Sequence, residues 1–194
     1  KFGGTSVANF EAMSRCSEII VADKSVRIVA VSASAGVTNH LVALCKPDLS
    51  KEQRQEHIDG VLAIQQAILD ELSLDADLAV GFNETLKAFQ TLALETLTTD
   101  QQHDELLSFG ERLSSYLFAQ VLRLKGLNAD RFDVRKVLKT DSQFGKATPD
   151  VAATAQAAKD LLIPLLDEQV IVTQGFIGSD EFGQTTTLGR GGSD

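Results

Sequence analysis

The feature that most limits how this chain can fold is the run VIVTQGFIG at 170–178. Its opening residues are apolar and β-branched, without the polar alternation of a strand that has one wet face. A strand of that kind is covered on both faces. VRIVAV at 26–31 reads as a second buried strand and ADRFDV at 129–134 as a third, and a lysine-led segment at the start, KFGG, ends in a glycine turn. Helical stretches separate these runs. Strands alternating with helices define an α/β class, here a parallel sheet with helices on both faces.

The helical stretches can be placed by their apolar spacing. Residues 7–22 carry Phe10, Met13, Ile19 and Ile20 on one stripe, with Thr5 or Ser6 as the expected cap. Residues 51–72 carry Ile58, Val61, Leu62, Ile68 and Leu69; residues 84–98 carry Leu86, Phe89, Leu92, Ala93 and Leu97. With 75–81 as connector, this pair reads as a helical hairpin insertion at about 51–100. Residues 103–126 form a long helix whose character breaks at SFGER, 108–112. Glu111 then stands at the mouth of a strongly apolar helix, either as a charge at a helix N-terminus or as a ligand for an amine. A polar excursion covers 135–149. A helix over 150–168, shortened or bent by Pro164, leads to the strand at 170–177.

Glycine- and hydroxyl-rich turns follow three of the strand candidates, at 3–6, 32–38 and, beyond a hairpin, 189–193. In a parallel sheet such turns gather at one edge, where these folds bind ligands. Glycines allow an anion close to the backbone, and amides at a helix start attract phosphate or carboxylate. The turn at 189–193 should open a helix, either as an anion site or as a plain glycine-rich loop with Ser193 as its cap. Ser32, Ser34 and Thr38 offer hydroxyls, although Thr38 could simply cap a helix. Arg190 presents a planar fork suited to a carboxylate, and Asp194 places a negative charge beside it. The lysine precedes the glycines, so Lys1 with Gly3 and Gly4 is not a GxxxxGK[ST] loop; it either offers similar chemistry, open amides plus a cation, or is a surface lysine at a strand end. Gathered at one edge, the turns suit a ligand pair of phosphate and zwitterion.

Size and composition limit the alternatives. A chain of 194 residues suits one domain with a sizeable core. The net charge of −9 and a pI of about 4.8 argue against a nucleic-acid surface and against anionic membranes. Cys16 and Cys45 have no metal or CxxC spacing and read as reduced cytoplasmic thiols. His57 and His103 read as exposed, and His40 lies near the turn cluster without a ligand set for metal. The chain starts at Lys1 and ends at Asp194 where a helix is expected, so a truncated α/β domain is the expectation.

At this point the motifs KFGGTSV (1–7), SASAGVTN (32–39), SFGERLS (108–114), and TQGFIGS with TTTLGRGGSD (173–194) resemble those of the aspartokinases. The order matches end to end, and SASAG with TTTLGRGGSD is most similar to the lysine-sensitive monofunctional branch. The middle, 51–100, is similar only in helical character.

The resemblance implies an αβα sandwich of the amino-acid-kinase, carbamate-kinase-like fold. It implies transfer of a phosphoryl group from MgATP to the β-carboxylate of L-aspartate, giving 4-phospho-L-aspartate, the first step toward lysine, threonine and methionine. Lys1 with Phe2, Gly3 and Gly4 would hold the ATP phosphates. Thr38 would touch aspartate, as would Ser32 less directly. Glu111 would pair with the α-ammonium and Arg190 with the α-carboxylate. Gly191, Gly192 and Ser193 would orient the substrate, and Asp194 would organise Lys1. Mg²⁺ would be held mainly by ATP, with no protein metal site. The chain would be the amino-acid-binding portion, lacking the ATP half and the ACT domains through which the parent dimerises, and so inactive alone and prone to self-association. A glutamate 5-kinase or acetylglutamate kinase type, or a non-catalytic amino-acid-binding module, are the alternatives.

Overall fold

The computed structural model describes residues 1–189. In chain order it contains α1 (Phe10–Ala22), β1 (Ile28–Val31), α2 (Val37–Leu44), α3 (Lys51–Leu69), α4 (Ala76–Ala93), α5 (Asp100–Leu124), β2 (Ala129–Arg131), α6 (Val151–Leu161), β3 (Val170–Gln174), β4 (Ile177–Ser179) and β5 (Thr185–Thr187). The sheet is parallel, in the order β1-β3-β2, with Ile171 opposite both Ile28 and Asp130. Every residue of β3 is buried. Phe2 extends the sheet by one parallel bridge to Val31 at its outer edge.

Side-chain alternation along β3 explains the layers. Val170 and Val172 face the main core, built with Val29 and Val31 of β1, Met13 of α1, Phe82 of α4 and Leu113, Leu117 and Phe118 of α5. Ile171 faces the other way, onto Val137, Leu162 and the Ala157–Ala158 side of α6. The sheet therefore has helices on both faces, as its unbroken apolar strand requires. α5 supplies the main layer. Phe118 is fully buried and its ring lies 5.5 Å from that of Phe2, which fixes the first residues of the chain to the core.

Helix contacts depend on places without a side chain. A Cβ on Gly60 would lie 2.3 Å from the His40 ring, and one on Gly81 would lie 2.6 Å from the Tyr116 hydroxyl. These glycines set how closely α3 approaches α2 and α4 approaches α5. Buried Arg54 of α3 donates from Nη1 to the carbonyls of Leu44 (3.2 Å) and Ala93 (3.1 Å), so one cation joins the C-terminal ends of α2 and α4.

Several sequence expectations are corrected. A 3₁₀ turn, Gly4–Val7, precedes α1, and the cap is Asn9, whose side chain accepts from the Ala12 amide at 2.8 Å, not Thr5 or Ser6. Ile19 is exposed rather than part of the buried stripe. α4 starts at Ala76, well before 84, because Leu78 and Phe82 continue the buried face. The break expected within 108–112 is absent: α5 is continuous, opened by a reciprocal capping box of Thr99 and Gln102. β3 ends at Gln174 because Phe176 adopts a left-handed φ of 68°, which turns the chain into the β4–β5 hairpin. His57 and His103 are half-buried, and His57 Nδ1 lies 3.1 Å from His40 Nδ1.

Candidate functional site

The site is assembled from the two turns at the C-terminal edge of the sheet. The Phe2 amide donates to the Ala30 carbonyl at 2.9 Å, and the Ser32 amide donates back to Phe2 at 3.0 Å. This bridge places Gly4 against the SASAG turn, where the Ala35 amide donates to the Gly4 carbonyl at 3.2 Å. A Cβ on Gly4 would sit 3.0 Å from the Ala33 carbonyl oxygen, so the approach needs glycine. Gly36 then takes φ 89° and starts α2. Gly36, not Thr38, is the cap residue; Thr38 is left exposed on the first helical turn.

α5 closes this corner from below. The Ser114 hydroxyl donates to the Ser32 carbonyl at 2.7 Å. A Cβ on Gly110 would meet the Ala33 Cβ at 2.6 Å, so the helix lies directly against the turn. The next residue is Glu111. It is 7% exposed, and burial pushes its carboxyl up to about 7, against the opposing effect of the Ala33 amide. Arg112 does not neutralise it. That guanidinium turns to Glu105 at 2.7 Å and lies over the Phe109 ring, 4.3 Å from its centroid.

A cavity of about 480 Å³ unites these parts, lined by Gly4, Ser32, Ser34, Thr38, Glu111 and, from the hairpin side, Thr187 and Gly189, among others. Four predicted positions (Gly4, Ser32, Thr38 and Glu111) therefore share one wall system. Lys1 is exposed at the sheet edge and Gly3 lies in open space, both adjoining the Phe2 bridge. Arg190, Gly191, Gly192, Ser193 and Asp194, and the helix expected to start with them, lie outside the described residues. Glu111 lies near the middle of α5, so of its two sequence readings the helix-N-terminal charge is set aside.

Sequence reasoning missed Asp104. It is 1% exposed, and its carboxylate accepts from the Gly145 amide at 3.0 and 2.9 Å, the Thr187 amide at 2.7 Å and the Thr187 hydroxyl at 2.8 Å. Burial raises its carboxyl above the ordinary value, and those donors work in the opposite direction. No local pattern marks it, because its partners are 41 and 83 residues away.

The parallel sheet ends in glycine turns around a cavity that holds a buried carboxylate, and the family comparison assigns a class to this arrangement. The model of the amino acid kinase family matches residues 1–194, and the chain belongs to that family. Among curated proteins it is 47% identical to lysine-sensitive aspartokinase 3 of Escherichia coli over 100% of this chain and 43% of that protein. It is 38% identical to the aspartokinase of Chlamydia trachomatis, again over 100% of this chain and 43% of the relative. The crystal structure of E. coli aspartokinase III in complex with aspartate and ADP superposes with a TM-score of 0.93 at 46% identity, covering 99% of this chain and 43% of that one. The chain thus spans less than half the length of these relatives. Among the described residues no helix is long and apolar enough to cross a membrane.

Proposed function

We propose that this chain is the amino-acid-binding portion of an aspartate kinase, which transfers the γ-phosphoryl group of MgATP to the β-carboxylate of L-aspartate. The observation that carries the reading is Glu111, a buried carboxylate in a cavity walled by glycine-, serine- and threonine-bearing turns together with Val42, Leu107 and Phe176. A buried anion calls for a cationic partner, and an amino acid's α-ammonium supplies one. The similarity to aspartokinases of E. coli and Chlamydia trachomatis, and to the crystal structure of E. coli aspartokinase III in complex with aspartate and ADP, favours aspartate among amino acids.

The nucleophile needs no strong base, since a β-carboxylate is ionised at neutral pH. Its oxygen forms a bond to the γ-phosphorus while the bond from that phosphorus to the β,γ-bridging oxygen breaks, and ADP leaves. The remaining task is to position two anions and neutralise charge between them. Glu111 orients the ammonium, and Thr38 and Ser32 border the same space. Arg190 takes the α-carboxylate, Gly191, Gly192 and Ser193 orient the substrate, and Asp194 organises Lys1. Lys1 with Phe2, Gly3 and Gly4 faces the phosphates; the tight seat of Gly4 against Ala33 leaves that turn without side-chain bulk. Magnesium enters as part of the MgATP substrate. The adenosine half of the site, and ACT domains for dimerisation, belong to the remainder of a cytoplasmic parent enzyme.

The test is product identity. The full-length protein is given MgATP with L-aspartate, L-glutamate or N-acetyl-L-glutamate, and hydroxylamine traps the acyl phosphate. Aspartyl hydroxamate is the expected product. Hydroxamate from either glutamate substrate, with none from aspartate, would overturn the reading in favour of another amino acid kinase.

A further inference from the structure

We propose that Asp104 is a positioning residue for the amino-acid site: its carboxylate holds the far wall of the cavity at a fixed distance from Glu111. The proposal rests on the aspartate-kinase reading and adds to it a residue that touches no substrate.

The geometry begins with α5. Asp104 and Glu111 are seven residues apart on one continuous helix, so they lie on the same face, two turns apart. Glu111 lines the cavity directly. Asp104 reaches the opposite wall through its hydrogen bonds. One oxygen accepts from the Thr187 hydroxyl and the other from the Thr187 amide, while the Gly145 amide lies within 3.0 Å of both. Gly145 and Thr187 both line the cavity. Gly145 is in the left-handed region, φ 79°, a conformation that glycine adopts without strain and that accompanies the inward-facing amide. The Ala147 amide donates to the Thr187 carbonyl at 2.9 Å, which joins the excursion loop to β5. Loop and hairpin are thus tied to each other and then, by the Asp104 carboxylate, directly to the helix that bears Glu111, whereas Glu105 reaches the hairpin only through Arg135, 3.6 Å away and bonded to Thr185 at 2.8 Å.

All the donors are N–H or O–H groups, and both acceptors are carboxylate oxygens, so charge matters as well as shape. Asparagine has the same outline but turns one acceptor into an NH₂ facing those donors. The wall would shift relative to Glu111 while the ATP side, built on the Phe2 bridge and Gly4, stays in place. The signature is selective: KM for L-aspartate rises and KM for MgATP does not. General destabilisation would move both constants, or lower active enzyme without moving either.

The experiment is steady-state kinetics on the full-length Asp104→Asn protein, beside Thr187→Val and Thr187→Ser. Val removes the hydroxyl donor but keeps the amide, whereas Ser keeps both. A rise in KM for aspartate of about tenfold or more is expected for Asp104→Asn and a smaller rise for Thr187→Val, with MgATP KM within twofold and Thr187→Ser close to the parent. If Asp104→Asn fails to fold, the Thr187 pair decides. Equal KM values for aspartate in Thr187→Val and Thr187→Ser, or parallel changes in both substrates' constants, would overturn the proposal. An unsubstituted protein that does not phosphorylate aspartate would instead overturn the functional reading beneath it.

Discussion

Glu111 carries opposite consequences for stability and for binding. Its carboxyl rises from 4.5 to about 7 on folding, driven by burial. Between those values the folded chain holds a proton that the unfolded chain has lost. Stability from this group is therefore full below pH 4.5 and is lost as pH rises through 7, by roughly 3 kcal/mol at about 1.4 kcal/mol per pK unit. Glu111→Gln removes the ionisation and nearly keeps the shape. Thermal melts should show the variant more stable than the parent at pH 8 and much closer to it at pH 5. An equal difference at both pH values would show that burial does not strain this carboxylate. The motif marked Glu111 in the sequence, but its burial could not be read there, because the wall that excludes water comes from the SASAG turn, far away in the chain. Asp104 was invisible for the same reason.

At the scale of elements, α5 is the organising helix, and Gly110 lets it act as one. Replacing a helical glycine by alanine ordinarily gains up to about 1 kcal/mol. Here the new Cβ would lie 2.6 Å from the Ala33 Cβ and 3.3 Å from a Leu41 methyl. Overpacking of this kind costs about 1–3 kcal/mol, so the clash should win. Gly110→Ala is expected to melt at lower temperature and to bind aspartate more weakly, as α5 is pushed off the turn; a more stable variant would contradict the contact. Element types were largely legible in the sequence, since strand burial and helical periodicity are local. Boundaries were less so. Gly81 resembled a linker residue but sits inside α4, because Tyr116 of α5 needs the space. The sequence suggests a cap at Thr5 or Ser6 for the first helix, but that segment forms a 3₁₀ turn beside the sheet edge and Asn9 takes the capping role.

For the whole molecule, the parallel order β1-β3-β2 brings segments near residues 4, 35, 111 and 187 to one cavity. Turn placement predicts this meeting for the segments at 3–6 and 32–38, because parallel strands end on the same side; Glu111 and Thr187 come from a helix and a hairpin strand, and the turn at 189–193 lies, beyond Gly189, outside the described residues. The central claim is that the cavity binds an amino acid through its ammonium at Glu111. Calorimetric titration of the full-length protein with L-aspartate at pH 8 and pH 6, beside succinate and beside Glu111→Gln, tests it most directly. With a carboxyl at about 7, binding at pH 6 must first release a proton, so affinity should fall about tenfold from pH 8. Succinate, which lacks the ammonium, should bind poorly, and Glu111→Gln should lose most aspartate affinity. Aspartate binding that is independent of pH and within twofold of the parent in Glu111→Gln would contradict the account.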